Sequence, residues 1–159
     1  MRQAKVATLL LLIGAAGGCA IGAPSTFTLN SASVDQSYVC PTAAIDLPYK
    51  IHATIGVRNG TSSSVTIESV EVVMTLAAVK GGWLEHVGNK YDAGGTVSPD
   101  TVGAGNTASL AVTIPSACTN GKVPSSGASY ADYSVAFTVA TSAGTHTIVS
   151  SNRHRITAA

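Results

Sequence analysis

Tyr49-Lys50-Ile51-His52-Ala53-Thr54-Ile55-Gly56-Val57-Arg58-Asn59-Gly60 is the stretch that decides the fold class. From Tyr49 to Val57 every odd position is apolar or aromatic, and Lys50, His52, Thr54, Gly56 and Arg58 fill the even ones. Strand side chains alternate between two faces, so this pattern buries one face and wets the other. Asn59-Gly60 follows, the dipeptide that most readily takes the left-handed angles of a tight turn. It predicts a hairpin into the next strand.

That strand starts near Ser63, with Val65 and Ile67 in phase. The phase then slips at Glu68-Ser69, and Val70, Val72, Met74 and Leu76 continue one residue out of step. A slip exchanges the buried and wet faces, so a bulge or a change of sheet is expected there. Further on, Ala108, Leu110, Val112 and Ile114 alternate with polar or small residues until Pro115. Tyr133, Val135, Phe137 and Val139 alternate likewise. Ser142-Ala143-Gly144 turns the chain into a last strand near 145–150, and an early strand covers 26–34. Past residue 25 no apolar pattern holds helical spacing. About seven short strands predict an all-β antiparallel β-sandwich.

Length and composition agree. The chain has 159 residues, enough for one ordinary domain. Apolar residues make up 45%, which excludes a disordered charged tail. Charged residues are only 11% and the net charge is +1, so no basic surface invites nucleic acid. Removing Arg2 and Lys5 leaves seven Lys and Arg against eight Asp and Glu, a net −1.

Those two residues open a secretion signal. Arg2 and Lys5 precede an apolar run from Val6 to Ala16, then Gly17, Gly18, Cys19 and Ala20. The run is shorter than the roughly 20 residues that span a bilayer, and its glycines weaken it as a helix. Ala16-Gly17-Gly18-Cys19 resembles the lipobox of bacterial lipoproteins, although that family prefers Leu where Ala16 stands. The resemblance implies a signal peptide over 1–19, lipid on Cys19 and a short tether over 20–25. It also implies delivery to the outer membrane where one exists, because Ala20 rather than Asp follows the cysteine. Gly18-Cys19-Ala20 offers ordinary cleavage instead, giving a secreted or periplasmic protein. Either route removes Cys19 from the thiol count and leaves Cys40 and Cys118 as a pair in an oxidising compartment. If residues 63–77 form one bent strand, up-and-down counting puts both cysteines at the same pole. A disulfide is therefore expected.

Two runs carry a second resemblance. Ile55-Gly56-Val57-Arg58-Asn59-Gly60-Thr61, and Tyr133-Ser134-Val135-Ala136-Phe137-Thr138-Val139 before Ala143-Gly144, look like bacterial immunoglobulin-like and fibronectin type III-like domains. The likeness covers residues 26–157. It implies an immunoglobulin-like sandwich in which Tyr133 ties a loop to backbone at a strand corner. Such sandwiches host many functions, so the likeness is silent on activity.

Chemistry is sparse. His52, His86, His146 and His154 make no zinc spacing, and no nucleophile elbow or phosphate cradle occurs. The expectation is no enzyme, no cofactor and no metal. The irregular stretch 80–106 holds Trp83, His86 and Tyr91, which would form either a contact loop or, through Trp83, a lid packed on the core. Asn59-Gly60-Thr61 matches a glycosylation sequon, but a tight turn explains it equally. The sequence thus points to an exported, lipid-anchored envelope protein with a binding or structural role. Its partners would be the membrane and another envelope protein or a glycan. The alternatives are a carbohydrate-active enzyme or accessory using the 83–91 loop, and a subunit of a surface fibre or sheath.

Overall fold

The computed structural model describes residues 26–119 and 129–158. The expected signal peptide and the site of lipidation at Cys19 lie outside the described residues. Ten strands follow in order: β1 (Phe27–Val34), β2 (Ser37–Cys40), β3 (Leu47–Asn59), β4 (Val65–Lys80), β5 (Lys90–Ser98), β6 (Thr101–Val102), β7 (Thr107–Cys118), β8 (Ser129–Thr141), β9 (Gly144–Val149) and β10 (His154–Ala158). No helix occurs among the described residues.

Two faces pack against each other. One is β1-β3-β7-β5 and the other is β5-β4-β8-β10-β2, with β9 also paired to β8. Strand β5 belongs to both: Lys90–Gly95 pairs with β4, and Thr96–Ser98 pairs with β7. The opposite side is managed by the chain's first strands. β1 pairs antiparallel to β3, then the chain crosses at Asp35-Gln36 and β2 runs parallel to β10. This is the immunoglobulin-like arrangement expected from the sequence, with β1, β3, β7 and β5 in the order of one sheet and β4, β8 and β9–β10 forming the other.

The alternation in β3 does what period two requires. Tyr49, Ile51, Ala53, Ile55 and Val57 are all buried, and the residues between them are outward. Opposite them, Val70, Val72, Met74 and Leu76 of β4 meet Val135, Phe137 and Val139 of β8 in one core. The slip at Glu68-Ser69 is a bulge within a single strand. Ile67 pairs with Thr141 and Ser69 with Ala140, so Glu68 is the extra residue. Because of it Val65 and Ile67 stay buried on one side of the slip and Val70 to Leu76 on the other.

The hairpin expected at Asn59-Gly60 does not form. β3 and β4 lie in different sheets, and residues 60–64 cross between them. Gly60 is required by proximity rather than by turn angles. A Cβ there would come 2.8 Å from the carbonyl oxygen of Thr26. Asn59 is fully buried, and its amide nitrogen donates to the carbonyls of Ser63, Val102 and Gly103. Its Oδ1 accepts from the backbone N–H and the hydroxyl of Thr61. The sequon-like triplet is a structural pin, closed to modification once folded.

Because 65–80 is one strand, the parity count places both cysteines at the same pole. Cys40 and Cys118 form a disulfide with Cα atoms 5.8 Å apart, joining β2 to β7 across the two sheets. Phe27, Asn59 and the β8–β9 turn mark the other pole.

Candidate functional site at the disulfide pole

Strands β4 and β5 end and begin at this pole, and residues 81–89 connect them. Gly81 starts the connection with φ of 76°, where a side chain would also run into Ser129. The return is tied to β4, since the N–H of Gly88 donates to the carbonyl of Leu76 and the N–H of Leu76 to that of Asn89. Between these ties the chain folds Trp83 back against the core. Its indole Nε1–H donates to the hydroxyl of Tyr133 at 3.3 Å, and that hydroxyl donates to Glu85 Oε2 at 2.6 Å. Burial raises the Tyr133 pKa well above the ordinary phenol value, and the bond to the Glu85 carboxylate adds to the rise. Tyr133 therefore stays a neutral donor across the physiological range.

Tyr133 lies inside β8 and holds the 81–89 connection through a carboxylate and an indole, whereas the resemblance implied a bond to backbone at a strand corner. The three residues grouped as a contact loop part company. Trp83 turns inward, while His86 and Tyr91 are exposed. The platform of aromatics suggested for a glycan is not assembled, because the indole is a lid. Replacing Trp83 by Ala should cost about 2 kcal/mol in a denaturant titration, below the ~3–5 typical of a fully buried Trp because the ring is only half-buried. A change under about 0.5 kcal/mol would show that the indole is not packed.

Under this lid lies a cavity of about 130 Å³, lined by Trp83, Glu85, Tyr133, the Cys40–Cys118 bridge and Ile156. Leu84, an exposed apolar side chain, also lines it. Val39, Ile45, Leu47, Leu84 and Val87 are exposed at the disulfide pole, whereas the exposed Tyr91 and Val149 stand half-way along their sheet, level with Val135 and Ala136. The sequence did not single out Glu85. The signal was present only as its position two residues after Trp83.

A second cluster holds the crossing between β1 and β2. Asn152 accepts from the N–H of Val34 and donates to its carbonyl, so one side chain completes both backbone bonds. The Asp35 carboxylate accepts from the backbone N–H of His52 at 2.8 Å and faces the His52 ring at 3.1 Å. His154, one of the histidines read as scattered around an edge strand, is 1% exposed. Its Nδ1 donates to the Asp35 carbonyl at 2.8 Å, its Nε2 has no partner, and its ring stacks near Tyr49. Burial lowers its pKa from the ordinary 6.5, against the opposing pull of Asp35.

A depressed histidine pKa means that the unfolded chain binds a proton first as pH falls through 6.5. Stability contributed by neutral His154 is therefore complete above that pH and is lost on acidification toward the folded-state value. His154→Gln, which keeps a donor but does not titrate, should flatten the acid side of the unfolding free energy profile. Parallel profiles for the two proteins would refute this assignment.

Among the described residues, no group of three His, Cys, Asp or Glu is placed to hold a metal ion. No protein-family model matches the chain, and no curated protein matches it. Solved structures similar to it include AggA, the major subunit of aggregative adherence fimbriae type I from Escherichia coli. That likeness has 10% identity and a TM-score of 0.37, covering 84% of this chain and 95% of that one. The CooA pilin subunit from enterotoxigenic Escherichia coli gives 10% identity and a TM-score of 0.32, covering 82% and 98%. The PapD-like domain 7 of human CEP192 gives 12% identity and a TM-score of 0.27, covering 99% and 96%. At these values the likenesses carry nothing about activity or partners.

Proposed function

We propose that this chain is an exported cell-surface module with a structural or binding role, held at the envelope by its N-terminal segment. It meets its partner with the disulfide pole. The observation behind this reading is polarity. The chain enters the sandwich at the pole of Phe27 and Asn59, whereas five of the seven exposed large apolar side chains among the described residues sit at the opposite end. With lipid on Cys19, the residues from Ala20 to Ser25 would span roughly 20 Å, holding the first pole near the bilayer and pointing the second away. Cys19→Ser should release the protein into the soluble fraction or leave it unprocessed. Normal processing with unchanged membrane association would overturn the anchor.

A subunit of a surface fibre is the second reading, and one feature favours it. On the side away from β4, the backbone of Lys90–Gly95 has no ladder partner among the described residues, because β5 reaches β7 only at Thr96. An unpaired edge is where a strand from another copy can add. Sedimentation velocity at rising concentration tests it: polymers support the fibre, and a single species throughout rejects it.

A further inference from the structure

We propose that the cavity beneath Trp83 binds a small organic ammonium ion, a cation of about five to seven non-hydrogen atoms with methyl or methylene groups around its charge. The proposal concerns the domain's own cavity and goes beyond the surface role above, since it holds whether or not Cys19 carries lipid.

Size comes first. The cavity is about 130 Å³. An apolar cavity of ~150 Å³ in another protein holds a benzene molecule, so this one suits a ligand slightly smaller or more compact. Its lining sets the chemistry. Ile156 and the disulfide supply an apolar floor, Trp83 and Tyr133 supply two aromatic rings, and Glu85 supplies a carboxylate. Aromatic faces carry negative partial charge and attract cations, most strongly where water is displaced.

Glu85 is exposed, and its carboxylate is held at one oxygen. Its Oε2 is held by the Tyr133 hydroxyl, which Trp83 holds in turn. Among the described residues no Lys, Arg or His forms an ion pair with Glu85. Two cations of the neighbouring strands have other partners. Arg155 is bonded to Asp132 and lies 3.9 Å from the Tyr130 ring, and Lys80 lies 5.9 Å from that same ring. A held carboxylate with no ion pair among the described residues, beside two aromatic rings and over an apolar floor, selects a weakly hydrated cation. Anions are repelled. A compact, strongly hydrated ion such as sodium would gain nothing from the floor.

Trp83 is the chain's only tryptophan, so intrinsic fluorescence reads the cavity directly. The purified processed protein is titrated with choline chloride, with 3,3-dimethyl-1-butanol as the neutral molecule of the same shape, and with sodium chloride at matched ionic strength. Choline should give a saturable change, the neutral alcohol should bind about tenfold more weakly, and sodium chloride should give no saturable change. Glu85→Gln should weaken choline about tenfold without altering the response to the alcohol, while Tyr91→Ala, outside the cavity, should leave both unchanged. Equal binding of choline and the alcohol, no saturable response to choline, or undiminished choline binding by folded Glu85→Gln would each overturn the proposal. Should Glu85→Gln not fold, the comparison of choline with the alcohol in the unaltered protein decides alone.

Discussion

Replacing Cys40 and Cys118 together by alanine should lower the unfolding free energy by about 4.5 kcal/mol, the largest effect expected from any pair of substitutions here. The bridge closes a loop with a sequence separation of 78, and in the chain-entropy account a long loop removes the most freedom from the unfolded chain. Against net stabilities of roughly 5–15 kcal/mol, a loss of that size leaves a marginal domain. The folded side contributes too. β2 has only four residues and pairs with β10 alone, so the bridge is its chief attachment to the β7 sheet. Chemical denaturation of oxidised wild type and the double variant measures the loss. A difference below about 1 kcal/mol would mean that the pair is not bridged in the protein.

Asn59→Ala is the second large effect, expected at about 3–4 kcal/mol. Five polar contacts converge on this amide: its two N–H groups are shared among three carbonyls, and its oxygen accepts twice. Removing it strands carbonyls that folding has taken from water, at roughly 1–3 kcal/mol for each one that water cannot reach. Solvent will recover some of them, and the bond to Val102 is the one most fully enclosed. Asn59→Asp makes the sharper test, because it is the same size and keeps an acceptor for Thr61 but loses the donor for all three carbonyls. It should be nearly as damaging as alanine. A near-neutral Asn59→Asp in a denaturant titration would show that the three carbonyls do not depend on the amide.

These two sites differ in how far the sequence revealed them. The bridge followed from counting thiols and from one judgement about Glu68-Ser69, because period-two burial is local enough to read directly. The strands of the core were legible for the same reason. Asn59 was visible only as a turn residue. Whether Asn-Gly closes a hairpin or caps a crossing depends on where the next strand docks, and that is settled by contacts with Val102 and Gly103 more than forty residues away.

β2 and β10 were missed because five residues or fewer show no period, and their pairing spans the whole domain. β5, Lys90–Ser98, lies within the stretch expected to be irregular, because Lys90-Tyr91-Asp92 carry no apolar alternation to betray it. Within the candidate site, the inward turn of Trp83 follows from scarcity of aromatics. The part played by Glu85 depends on a hydroxyl 48 positions along the chain.

The parallel pairing of β2 with β10 sets how the domain would bear a load. The chain enters at one pole, and Ala158 lies beside Cys40 at the other. Tension applied across these points drags β2 and β10 past each other along their length. Their ladder bonds then resist together, in shear, instead of opening one at a time. If that contact yields, the covalent bridge still prevents the stretch between Cys40 and Cys118 from paying out. With 78 residues of separation at about 3.4 Å each, some 270 Å of extension is withheld. A domain pulled at the surface of a cell would lengthen only by the segments outside the bridge, β1 and β2 on one side and β8 to β10 on the other, while β3 to β7 stay out of the line of force.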